Sequence, residues 1–184
     1  MSWLRSTRSR SASPRWVEGT AALIALLLAG AGSAYAAGSG CEALKWPLET
    51  EKAAFANAAI ESVTTGASRG PFKQQAFLFK LQPAGTVSFV AKPTGRAKSE
   101  SGHGGLLTFD PPEAEGAYQV TLSDEGWIDV VQNGAPLKST GHTGAKDCPG
   151  VRKSVRFSVA KAPVVLQVSG VAGDDIKVAI TPVR

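Results

Sequence analysis

From about residue 75 onward the chain is built from short alternations of apolar and polar residues. Successive side chains of a strand point to opposite faces, so a period of two lays one set against a core. Phe77, Phe79 and Leu81 form one such set, and Val87, Phe89 and Ala91 another. Leu106 to Phe109 is a short apolar run. Tyr118, Val120 and Leu122 alternate with Gln119, Thr121 and Ser123, the pattern of a half-buried strand. Trp127 to Gln132 leads into Asn133-Gly134, and Ala135 to Ser139 follows. Asn-Gly accepts positive φ at both turn positions, so this unit predicts a tight hairpin. Pro136 has no N–H to give to a ladder, which places the second arm at a sheet edge. Val155, Phe157 and Val159 oppose Ser154, Arg156 and Ser158. Val164, Leu166 and Val168, then Ile176, Val178 and Ile180, complete the series.

About eight such strands, punctuated by Gly and Pro and without a βαβ alternation or an internal repeat, predict an all-β fold: an antiparallel β-sandwich, jelly-roll-like. Leu48 to Ala59 is rich in Ala, Glu and Lys and predicts a short helix, with Thr50 as its cap. Thr65 to Gly70 and the polar stretch Lys92 to Gly105 read as loops.

The pattern at the N-terminus is of another kind. Arg5, Arg8, Arg10 and Arg15 precede an apolar run from Ala21 to Ala29, and small residues lead to Ala34-Tyr35-Ala36. Basic segment, short apolar core and A-x-A site together predict a cleaved signal peptide over 1–36, with Ala37 as the new terminus. The apolar run is shorter than the roughly 20 residues of a membrane span, so no span is expected in the mature chain. Gly38-Ser39-Gly40 ahead of Cys41 lacks the Leu-like residue of a lipidation site, and Ser9 separates Arg8 from Arg10, unlike a twin-arginine signal. The expected organisation is a signal over 1–36, an N-terminal segment with a short helix over 37–70, and a β-sandwich domain over 71–184. The expected location is the periplasm, or outside the cell, of a Gram-negative bacterium.

Charge and cysteine count follow from that division. The formal net charge is +5, but four arginines and one glutamate lie in the first 36 residues. What remains is close to neutral and does not favour a nucleic-acid partner. Both cysteines, Cys41 and Cys148, fall in the mature part, and an isolated pair in an oxidising compartment is expected to form a disulfide.

Motifs for chemistry are sparse. There is no G-x-S-x-G, no H-E-x-x-H and no phosphate loop, so no catalytic residue, metal ligand set or cofactor is assigned. His103 and His142 each stand between glycines, in what read as loops. Arg152, Lys153 and Arg156 form a basic cluster, with Arg152 and Arg156 on one outward strand face, suited either to a solvated edge or to an acidic ligand. Trp127 should face out if Ile128 and Val130 face in, and an exposed aromatic can stack on a sugar or seat a partner. Asp124, Glu125 and Asp129 are close in sequence but match no calcium loop. The expected binding set is therefore His142, Arg152, Arg156 and Trp127.

The stretch from Tyr118 to Pro182 carries Y-Q-V-T-L-S, W-I-D-V-V-Q-N-G, D-C-P-G-V-R-K-S-V-R-F and L-Q-V-S-G, and C-E-A-L-K-W-P-L opens the mature part. On these motifs the chain resembles a group of small exported proteobacterial proteins, some of which bear the label homogentisate 1,2-dioxygenase. The strand order is also similar to β-sandwich modules at the C-terminal ends of secreted peptidases. The dioxygenase resemblance implies a non-haem iron held by two His and a carboxylate. The two histidines present are not at the H-x-D/E spacing such sites often use. The reading that follows is a periplasmic binding or accessory module for an acidic small molecule, a glycan or another envelope protein. A small metal-dependent enzyme is the alternative.

Overall fold

The computed structural model describes residues 40–95 and 102–183. The expected signal over 1–36 and its cleavage site lie outside the described residues. The strands are β1 (Glu61–Thr64), β2 (Ser68–Pro71), β3 (Gln75–Lys80), β4 (Gln82–Pro83), β5 (His103–Asp110), β6 (Gly116–Leu122), β7 (Trp127–Gln132), β8 (Ala135–Pro136), β9 (Ser139–Gly144), β10 (Lys153–Val159), β11 (Val164–Val171) and β12 (Asp175–Pro182), with one α-helix among the described residues, α1 (Glu49–Ala56). The first sheet runs β1-β3-β12-β6-β10-β9 and the second β2-β5-β11-β7-β8, with β4 also on β5.

The all-β sandwich is therefore present, and two mixed sheets replace the antiparallel ones expected. β1 pairs parallel with β3 and β2 parallel with β5. Both parallel pairs lie at the same margin, where the chain leaves β1 and crosses to the other sheet as β2. At the opposite margin it passes from the second sheet to the first between β8 and β9. Between the sheets lies a core that includes Phe72, Phe77, Phe79, Leu107, Phe109 and Leu166, all essentially inaccessible. Each such side chain stabilises the fold by roughly 1.5–3 kcal/mol relative to exposure.

A second, smaller cluster lies on the outer face of the first sheet. Leu48 and Phe55 from the N-terminal segment pack there with Val151, Ala179 and the bridge between Cys41 and Cys148. That cover explains why Gln119 and Thr121 of β6 are buried, against the half-buried strand expected. Thr121 donates to Ser154 at 2.8 Å, and Gln119 Nε2 donates to the buried Glu51 of α1 at 2.6 Å.

Local expectations fail for identifiable reasons. Helix α1 starts one residue before Thr50, because buried Leu48 anchors the segment and the Lys52 N–H donates to the Leu48 carbonyl at 2.9 Å; no side chain caps it. Residues 87–91 are not a strand. Their backbone closes turns, Val87 N–H to the Ala84 carbonyl at 3.2 Å and Phe89 N–H to that of Val87 at 3.1 Å, and Ala91 bonds both ways to the Gln167 side chain. The segment instead covers the second sheet. The stretches read as loops hold strands: β2 begins at Ser68, inside the stretch 65–70, β5 begins at His103, and β9 is the Gly-rich Ser139–Gly144. Sheet strands thus begin at Glu61, ahead of residue 71. Asn133 (φ 52) and Gly134 (φ 76) form the expected hairpin turn, and Pro136 sits in the edge strand β8.

Candidate binding site

At the margin where β8 crosses to β9 the sandwich is open. β8 is two residues long and pairs only with Val131 and Gln132, so among the described residues no strand pairs with the start of β7 on that side. A cavity of about 420 Å³ occupies the gap. Ile128, Leu137, Val155 and Phe157 give it an apolar wall, and Trp127, His142, Arg152 and Lys153 line it as well. This volume lies within the range of small-molecule sites.

Lys153 is the group with the most unusual setting. Its register places it in phase with Val155 and Phe157, facing Leu122 across the ladder. Its Nζ donates to the Gly126 carbonyl at 2.6 Å and lies 5.1 Å from the centre of the Trp127 ring. Burial pushes its pKa below the ordinary lysine value; the charge of Glu125 opposes that shift and the charge of Arg152 adds to it. Glu125 itself forms an ion pair with Arg152. Lys153 thus contacts a carbonyl and a ring, and among the described residues no carboxylate forms an ion pair with it.

The opposite wall is held by hydrogen bonds. Trp127 is 38% exposed and stands on the outer face of β7, as the alternation requires. Its Nε1 donates to Thr94 Oγ1 at 2.9 Å and to Asp129 Oδ1 at 3.2 Å. Thr94 donates to Asp129 through its hydroxyl and through its backbone N–H, the latter at 3.2 Å. Asp129 is 3% exposed and fully engaged in fixing this wall.

Trp127, His142 and Arg152 of the sequence-derived set meet at the cavity, and Arg156 does not. Arg156 lies on the other face of β10, where its guanidinium stacks 3.9 Å from the Trp46 ring centre and its Nε donates to Gln119 Oε1 at 3.2 Å. The outward face expected to present Arg152 and Arg156 together is covered by the N-terminal segment. Arg152, just ahead of β10, turns to Glu125. His142 lies in β9 and His103 in β5, in different sheets, so neither is the loop histidine expected. Among the described residues no group of three or more His, Cys, Asp or Glu is placed to hold a metal ion. No protein-family model matches the chain, nor does any curated protein or solved structure.

Sequence reasoning passed over Lys153 as a member of a basic cluster. The signal was there: its alternation with Val155, Phe157 and Val159 puts a lysine on the apolar face of a strand. The open end of β7 was not readable, because it depends on β8 stopping after Pro136.

Proposed function

We propose that this protein is a periplasmic binding module, and that the cavity between β7 and β10 is its site. Its ligand is an organic anion with an apolar body, of which a medium-length carboxylate is the simplest example. The observation that carries the reading is Lys153: a partly buried ammonium, held by a carbonyl and an aromatic ring, at the wall of a cavity that Ile128, Leu137, Val155 and Phe157 line on one side. A carboxylate arriving there adds to the countercharge of Glu125, which is already engaged by Arg152. Ile128, Leu137, Val155 and Phe157 take the apolar body, and Trp127 and Arg152 border the entrance. A charge-assisted hydrogen bond of this kind contributes roughly 1.5–3 kcal/mol. Export is supported by the N-terminal pattern and by the Cys41–Cys148 bridge.

Thermal unfolding in the presence of octanoate, octanol or octylamine tests the proposal. Octanoate is expected to raise Tm in proportion to the logarithm of its concentration above Kd. Octanol should act weakly and octylamine least. Equal shifts for all three, or no shift with octanoate, would contradict an anion site.

A further inference from the structure

Resting on that reading, we propose that the ligand is a 2-hydroxy carboxylate with an apolar chain: its hydroxyl donates to the Ile128 carbonyl, and its carboxylate accepts from the Ile128 N–H and Lys153. In an antiparallel ladder, alternate residues of a strand turn both N–H and C=O to the same neighbour, and the two residues of a hydrogen-bonded pair exchange both bonds. Val130 turns its carbonyl to the β8 side, where it accepts the Leu137 N–H at 2.7 Å. Ile128, two residues earlier in β7, is in the same phase, so its N–H and carbonyl turn to that side as well, at the cavity it lines. β8 ends at Pro136, and after Leu137 the chain crosses to β9. Among the described residues neither backbone group of Ile128 has a hydrogen-bond partner on that side, although Ile128 is only 5% exposed. Buried backbone groups are seldom left unpaired.

The stretch that offers these two groups is one residue long, because the next carbonyl in phase, that of Val130, is already taken by Leu137. A hydrogen-bonded pair needs from its partner one donor and one acceptor on adjacent carbons, which a carboxylate with a donor at its 2-position supplies. The Ile128 N–H lies on the Gly126 side, and the Gly126 carbonyl holds Lys153 Nζ at 2.6 Å. The carboxylate therefore belongs at that end and the donor at the Val130 end. Charge then chooses the donor. Cationic or basic His142, Arg152 and Lys153 line the cavity against one carboxylate, Asp129, whose oxygens are engaged by Thr94 and Trp127. A 2-ammonium group would meet like charge there, and an acylated amine would run into Leu137. A neutral hydroxyl avoids both. Paired residues share a sheet face, and Ile128 faces the core side. The (S)-acid, with the handedness of an L-residue, thus directs its chain to the wall formed with Leu137, Val155 and Phe157.

Calorimetry on the purified protein, with its Cys41–Cys148 bridge intact, tests the inference with five probes: (S)-2-hydroxyoctanoate, its (R)-enantiomer, 2-oxooctanoate, 2-aminooctanoate and octanoate. The (S)-hydroxy acid should bind about three- to ten-fold tighter than octanoate, the gain of one hydrogen bond. The (R)-enantiomer and the oxo acid, which has no donor, should show no such gain, and the amino acid should bind more weakly than octanoate. Lys153→Met should weaken the hydroxy acid and octanoate by similar factors, since the hydroxyl acts on Ile128. Equal binding of the enantiomers, an oxo or amino acid as tight as the (S)-hydroxy acid, or no gain over octanoate overturns the inference. If octanoate still binds in a Lys153-dependent way in that case, the hydroxy-acid assignment falls and the carboxylate site stands. If none of the acids binds, both fall.

Discussion

Lys153 occupies a strand position that its neighbours fill with apolar side chains, and its titration reports that placement. Its folded pKa lies below the unfolded value near 10.5. Between the two, the unfolded chain binds more protons than the folded one, so stability rises with pH in that window. The lysine opposes folding fully below its folded pKa, and that cost fades as pH approaches 10.5. The Tm of wild type relative to Lys153→Met should therefore shift in favour of wild type as pH rises toward the unfolded lysine value of 10.5. A difference that is flat with pH would show that the amine is solvated. Arg156 makes the complementary case. Its removal takes away a cation–ring contact and leaves Gln119 Oε1 without its donor, at a cost of about 1–3 kcal/mol in stability. Chemical denaturation of Arg156→Ala measures this loss.

Two connections decide whether the elements hold the cavity. The hairpin between β7 and β8 turns at Asn133 and Gly134, and its brevity leaves Ile128, which pairs with Val168 of β11, without a strand partner on its other side among the described residues. Gly134 has φ 76, where an L side chain is strained. Gly134→Ala should therefore cost about 1–2 kcal/mol, readable as a lower denaturation midpoint with an unchanged slope. The bridge between Cys41 and Cys148 ties together residues 107 apart in sequence. Replacing both cysteines by serine should cost about 2–5 kcal/mol. Hydrogen exchange should then speed up first in residues 40–60, which cover the first sheet, while β5, β7 and β11 keep their protection. Uniform acceleration across both sheets would show that the segment and the sandwich open as one unit.

At the scale of the whole molecule, much of the sandwich was readable because strands with one face on a core announce themselves by alternation. β3, β6, β7 and β10 to β12 all lie where the alternation puts them. β9 did not, because Ser139–Gly144 contains no apolar residue; its pairing with β10 comes from backbone groups alone. Residues 87–91 misled in the other direction, alternating as a strand does while covering one. The candidate site was half legible: Trp127, His142 and Arg152 meet at the cavity, while the grouping of Arg156 with them failed because the same strand face is covered by α1 and Trp46. The measurement that bears most directly on the proposed site is calorimetric titration of octanoate into wild type, Lys153→Met and Arg156→Ala, each confirmed folded by circular dichroism. The account predicts saturable one-to-one binding to wild type, a loss of about ten- to hundred-fold in Lys153→Met, and near wild-type affinity in Arg156→Ala. Undiminished binding in Lys153→Met, or a loss confined to Arg156→Ala, would contradict it.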